Sequence, residues 1–178
     1  WIQSHPDDEH IIVSSDTDFY QLLAHNVKQY NGISDELHTL EGIFNKKGDR
    51  VLDKKTKEPK VVPDPEWILF EKCMRGDATD NVFSAYPGVR KKGTRNKVGL
   101  LEAFADTAKK GSNWNNMMLQ RWIDHNEVEH RVLDDYERNC ILVDLTKQPD
   151  DIKVKIAETI AEGSKTKRIP MVGAKFLK

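Results

Sequence analysis

Four aspartates in two close pairs are the residues of this chain whose types and spacing could do chemistry. Asp16 and Asp18 follow the apolar run Ile11-Ile12-Val13-Ser14-Ser15. Asp77 and Asp80 lie in Arg75-Gly76-Asp77-Ala78-Thr79-Asp80-Asn81. In an extended segment, positions 16 and 18 project to one side. Carboxylates gathered this way stay ionised together only with a cation between them. Hard oxygen ligands suit magnesium, and a pair of such ions activates water and stabilises the leaving oxygen of a phosphodiester. The chemistry in prospect is metal-assisted hydrolysis on phosphates. Each pair also has a plainer reading. Asp16 is a favoured helix cap, and Asp77 beside Gly76 suits an Asx turn. The cap reading prevails for an isolated Asp-x-Asp. A buried strand just before it, and a second acidic pair after another helix, shift the balance towards a metal.

A basic loop follows the second pair directly. Gly88, Arg90, Lys91, Lys92, Arg95 and Lys97 fall in Pro87-Gly88-Val89-Arg90-Lys91-Lys92-Gly93-Thr94-Arg95-Asn96-Lys97, which holds no acid. Glycine permits close backbone approach to a phosphate. The amides opening the next helix point the same way, and lysine and arginine release counterions when they replace them. A solvated loop is the commoner fate of a charge run. Its place right after Asp77 and Asp80 favours a phosphate grip. The net charge of -1 argues against a generic polycation, so the basic patches are local.

The elements that must position these residues read as follows. Residues 10–14 form a strand apolar on both faces, which predicts burial, and 18–24 form a short helix. Residues 27–30 form a second strand and 40–63 a hairpin turning at Lys47-Gly48-Asp49. Asp64-Pro65-Glu66 starts a helix that Gly76 ends after Arg75. Residues 96–109 and 113–139 read as helices broken at Gly111, 140–145 as a short apolar run, and Pro149-Asp150-Asp151 as the start of a helix to about 162. A strand of this kind needs partners on both sides, and the sheet is expected to extend beyond this chain.

Other chemistries find no support. The histidine spacings, 5 with 10 and 125 with 130, do not place two ligands on one helix face. Cys73 and Cys140 form no disulfide framework or zinc spacing. There is no nucleotide-binding glycine fingerprint and no serine or cysteine nucleophile constellation. Trp114, Trp122, Met117 and Met118 read as core. No window reaches the roughly 20 apolar residues of a membrane span, and a reducing, cytoplasmic setting is the expectation.

Ser14-Ser15-Asp16-Thr17-Asp18-Phe19-Tyr20-Gln21-Leu22 resembles the S-x-D-x-D-x-x-Q-L segment of the 5′-nuclease family, the flap endonucleases and the 5′→3′ exonuclease domains of bacterial DNA polymerase I. Gly76-Asp77-Ala78-Thr79-Asp80-Asn81-Val82 resembles that family's G-D-x-x-D-N-[IV] motif. Pro87-Gly88-Val89 resembles the opening of its helix–three-turn–helix, although the compact G-x-G-x-K turn is here stretched and basic. Arg138-Asn139-Cys140-Ile141-Leu142-Val143-Asp144-Leu145 resembles a further family segment.

The resemblance implies an α/β fold, the C-terminal part of a PIN-like 5′-nuclease. Residues 1–63 would be part of the catalytic domain, 64–162 a mostly helical domain with the DNA-binding motif, and 163–178 a basic tail. It implies two Mg2+ ions, replaceable by Mn2+, on Asp16, Asp18, Asp77 and Asp80. Gly88, Arg90, Lys91, Lys92, Arg95 and Lys97 would hold DNA. The implied activity is 5′→3′ exonuclease and flap endonuclease cleavage of DNA or RNA–DNA hybrid, as in primer removal during replication. A single-strand-binding protein or sliding clamp would be a partner, with no membrane and a monomeric state. The family's upstream acidic ligands lie before this sequence, so the chain alone is expected to be weakly active or inactive. Two alternatives stand beside this reading: a PIN-type ribonuclease, and a non-catalytic DNA-binding module.

Overall fold

The structure is a computed structural model that describes residues 1–165. It is a mixed α/β protein: a four-stranded sheet, a two-stranded hairpin and several helices. Residues Ile2–Lys147 form one compact unit, and of the described residues Trp1 and 148–165 belong to a second. Within that second part, α5 (named in chain order below) spans Asp150–Ser164 behind Pro149, with Asp150 and Asp151 in its first turn, where the helix dipole favours them. Most of the basic tail, residues 166–178, lies outside the described residues.

The sheet comprises β1 (His10–Val13), β2 (Val27–Asn31), β3 (Glu36–Thr39) and β4 (Gly42–Asn45), in that order. β1 and β2 run parallel with His10 opposite Val27. The later pairs are antiparallel. The connection from β1 to β2 contains a 3₁₀ turn over Thr17–Leu22, and this connection carries Asp16 and Asp18. The expected strand at 10–14 forms, but it is not buried on both faces. Ile11 is 60% and Val13 74% exposed, because among the described residues little packs on that face of the sheet. β3 replaces what the sequence reads as loop. Asn31 Oδ1 accepts from the backbone N–H groups of Ile33 and Ser34, and Asp35 takes a left-handed φ, so the chain reverses earlier than expected.

Helix α1 (Pro65–Arg75) forms as its signals predict. The Asp64 side chain accepts from Glu66 N at 2.9 Å, Pro65 opens the first turn, and Gly76 ends it. α1 is the wall shared by two cores. Ile68 packs against the small sheet cluster of Leu23, Ile43 and Val62. Trp67, Phe70 and Met74 belong to the larger helical core with Val89, Leu100, Trp114, Met117, Met118 and Val132. Phe70 contacts the rings of Trp67, Phe104, Trp114 and Tyr136, at centroid separations of 5.4 to 6.2 Å. Such ring pairs stabilise beyond their area burial.

The remaining helices are shorter than expected. α2 covers Leu100–Ala105, α3 Ser112–Met118 and α4 Val132–Val143. The expected single helix over 113–139 is interrupted by an antiparallel hairpin, β5 (Arg121–Ile123) with β6 (Glu129–Arg131). Its turn is local chemistry: Asp124 Oδ1 accepts from Asn126 N and Val128 N, and Glu127 takes a left-handed φ. The apolar run at 140–145 is largely the end of α4, which closes at Val143. No described helix is long and apolar enough to cross a membrane.

Candidate metal centre

The two acidic loops meet at the C-terminal end of α1. Asp18 lies in the 3₁₀ turn after β1, and Asp77 follows α1 by two residues. One carboxylate oxygen each of Asp18, Asp77 and Asp80 lies within 4.8 Å of the others. Asp16 stands outside this trio. It is the cap of the 3₁₀ turn, with Oδ1 accepting from Asp18 N at 2.9 Å. The structure thus brings three of the four expected aspartates together, and Asp16 supports one of them through the backbone.

A lysine completes the cluster. Lys72 Nζ, from the last turns of α1, donates to Asp18 Oδ1 and lies 2.6 Å from Asp77 Oδ2. Burial works to lower the Lys72 pKa, but its hydrogen bonds to Asp18 and Asp77 outweigh that and raise it. Lys72, with the Thr79 hydroxyl and backbone N–H behind it, holds the Asp77 carboxyl well below the usual carboxylate range. The Asx turn expected at Asp77 is therefore also present: Oδ1 accepts from Thr79 N at 2.9 Å while Oδ2 faces the lysine. A donor set of three carboxylates within 4.8 Å of one another, two of them already paired with an ammonium, fits a hard divalent cation.

Backbone constraints fix both loops. Asp77 and Val82 exchange two hydrogen bonds of 2.8 Å each and close the 77–82 loop. Gly76 has φ +73, and a Cβ there would come within 2.2 Å of the Val82 carbonyl oxygen, so glycine is required. Asn81 takes the other left-handed position, which asparagine tolerates. On the first loop, buried Gln29 of β2 donates from Nε2 to the carbonyls of Ser14 and Asp16, both at 2.8 Å. It thereby pins the backbone that presents Asp16 and Asp18.

The segment at 138–145 splints the two loops together. Asn139, fully buried, donates from Nδ2 to Cys73 O at 2.8 Å and Phe83 O at 2.7 Å. The first of these carbonyls belongs to the last turn of α1, which has no intrahelical donor. Gln21 donates to Val143 O and accepts from Leu145 N. One stretch of chain thus grips the loop of Asp18 through Gln21, and that of Asp77 through Asn139. Lys72, Gln29 and Asn139 were not singled out from sequence. The available signal for Gln29 was a polar side chain amid a strand; for Asn139, a polar residue at a helix's core-facing position.

The basic loop is an ordered structure beside this centre in the chain. Leu100 N and Leu101 N donate to the carbonyls of Arg90 and Lys91, and Thr94 and Lys97 exchange backbone hydrogen bonds. The Glu102 carboxylate accepts from Gly93 N and Gly99 N, each at 3.1 Å, and draws the loop shut. Gly88, Arg90, Lys92, Arg95 and Lys97 are exposed. Lys91 is exposed too but leans over the Trp67 ring at 5.5 Å.

No family model matches the chain, and no curated protein matches it. Among solved structures it is similar to the T5 D15 protein, crystallised with metal ions, at 16% identity and a TM-score of 0.48. The likeness covers 90% of this chain and 57% of that one, so the chain spans little more than half of that protein's length.

Proposed function

We propose that this chain belongs to a metal-dependent 5′-nuclease. The observation that carries the reading is the convergence of Asp18, Asp77 and Asp80 around one cation position. In this reading Asp18, Asp77 and Asp80 hold Mg2+, for which Mn2+ substitutes, with Asp16 beside them as a further acid of a two-ion site. Bound there, the ions would supply the charge that activates water and stabilises the leaving oxygen of a phosphodiester. The protein's own part is placement. Gln29 and Asn139 hold the two acidic loops, and no protein nucleophile is required.

Arg90, Lys92, Arg95 and Lys97, with Lys91 against Trp67 and the open backbone at Gly88, grip the phosphates of duplex DNA without reading its sequence. The substrates are 5′ flaps and 5′ ends in DNA or RNA–DNA hybrid, as in primer removal. The motifs resemble those of the RNase H of T-even-type phages, and the specific form of the proposal is a phage-encoded replication enzyme with a clamp or single-strand-binding partner. Residues 1–63 then belong to the catalytic domain and 64–162 to the helical DNA-binding domain. The test is cleavage of a 5′-labelled flap duplex in Mg2+ by the full-length protein and by its Asp77→Asn variant. Cleavage lost in the variant supports the reading. Equal cleavage by both, or tight duplex binding without cleavage by either, refutes it.

A further inference from the structure

We propose that Lys72 is a tethered counter-cation that occupies the metal position in the metal-free protein and must be displaced for a divalent ion to bind. This rests on the metal-site reading above and adds a role for a residue that reading does not use.

The geometry is specific. Lys72 reaches two carboxylates that come from different loops, Asp18 after β1 and Asp77 after α1. Its side chain is only 21% exposed, and those of Asp18 and Asp77 are 26% and 15% exposed. An ordinary surface pair holds one partner in water and contributes little. Here one ammonium bridges two acids in a partly desolvated cleft. A magnesium ion on the same oxygens would sit about 2 Å from each. That leaves no room for the ammonium on those atoms and sets two positive centres face to face. Lysine suits displacement, because its charge is compact and its four-carbon stem is flexible. The arrangement relieves carboxylate repulsion without metal, and it lowers metal affinity by the free energy of the pairs that must break.

The test uses Mn2+ as probe, with free ion counted by electron paramagnetic resonance. The full-length wild-type protein is compared with its Lys72→Met, Lys72→Gln and Arg75→Met variants. Arg75 is a nearby charge that pairs with Glu71 rather than with the site, so its variant reports the general electrostatic effect. Losing two part-exposed ion pairs should tighten Mn2+ binding about tenfold in Lys72→Met, with Arg75→Met close to wild type. Lys72→Gln keeps a hydrogen-bond donor without charge, and should bind as tightly as Lys72→Met while guarding against misfolding. A second readout needs no variant. In a lysine-selective 15N spectrum the Lys72 ammonium signal should shift when Mg2+ is added. Unchanged or weaker Mn2+ binding in folded Lys72 variants, or an unmoved Lys72 signal at saturating Mg2+, overturns the displacement proposal and leaves the metal site standing. No Mn2+ binding by any protein overturns the metal site itself.

Discussion

Replacing Asn139 by alanine removes the donors of one buried and one part-buried carbonyl at once. Cys73 O and Phe83 O accept from Asn139 Nδ2 at 2.8 and 2.7 Å, and the side chain is fully buried, so water does not replace it at once. A buried acceptor left unpaired costs about 1–3 kcal/mol. The buried Cys73 carbonyl and the part-buried Phe83 carbonyl together amount to roughly 3 kcal/mol. For a chain of this size each kcal/mol lowers Tm by about 2–4 °C, so Asn139→Ala should melt roughly 6–12 °C below wild type. Asn139→Asp keeps the volume but sets a carboxylate against both carbonyls, and should be at least as unstable. Urea denaturation followed by tryptophan fluorescence reports this, since Trp67 and Trp114 lie in the same core. Amide exchange at Asp77 and Val82 should accelerate, because the same side chain holds the loop they close. A stability loss under about 1 kcal/mol in both variants would show that the splint described at 138–145 does not hold the acidic loop.

The glycines of the basic loop separate steric from conformational need. A Cβ at Gly93 would lie 2.4 Å from Lys97 O, whereas one at Gly88 meets nothing within 4 Å and suffers only the left-handed φ of +75. Gly93→Ala should cost about 2 kcal/mol and weaken duplex binding, and Gly88→Ala only about 1 kcal/mol; calorimetry and fluorescence anisotropy measure the two effects. Because the Asp77 carboxyl is held low in the folded state, its contribution to stability is fully present above the unfolded value near pH 4 and is lost as pH falls below it. Urea midpoints of wild type and Asp77→Asn should therefore converge on acidification from pH 6 to pH 3. If Arg95 contacts a phosphate, Arg95→Ala should reduce the slope of log affinity against log salt by about 0.9; an unchanged slope in a binding titration removes it from the interface.

What the sequence disclosed were features with local causes. Helix α1 carries its cap, its proline and its terminating glycine within its own residues, and its observed bounds match. The pairing of Asp16 with Asp18, and of Asp77 with Asp80, is visible as spacing. The cap role of Asp16 is local and is the plainer of its two sequence readings, whereas the convergence of Asp18, Asp77 and Asp80 depends on how two distant loops meet, which spacing does not encode. Lys72 is, by sequence, one charge among several on an amphipathic helix, and only the fold sets Asp18 against it. The hairpin at 121–131 was hidden because its helix-compatible residues outvoted one turn-forming aspartate, Asp124. The exposure of Ile11 and Val13 was likewise not legible, since an apolar strand reads the same whether or not anything covers it.

Helix α1 sets Lys72, Cys73 and Met74 to three unlike tasks in succession: Lys72 meets the carboxylates, Cys73 is buried with its carbonyl held by Asn139, and Met74 fills the core. Each residue added to or deleted from a helix turns everything beyond it by about 100°. A one-residue deletion between Glu66 and Glu71 would swing either the ammonium or the core face out of place. The exposed turn at 53–57 is closed by its own local bonds, Asp53 Oδ1 accepting from Lys55 N and Thr56 N and the Asp53 backbone pairing with Lys57 and Glu58, and carries no such phase relation. Insertions and reporter tags should therefore be accepted there, and rejected within α1 even where the inserted residue is an alanine.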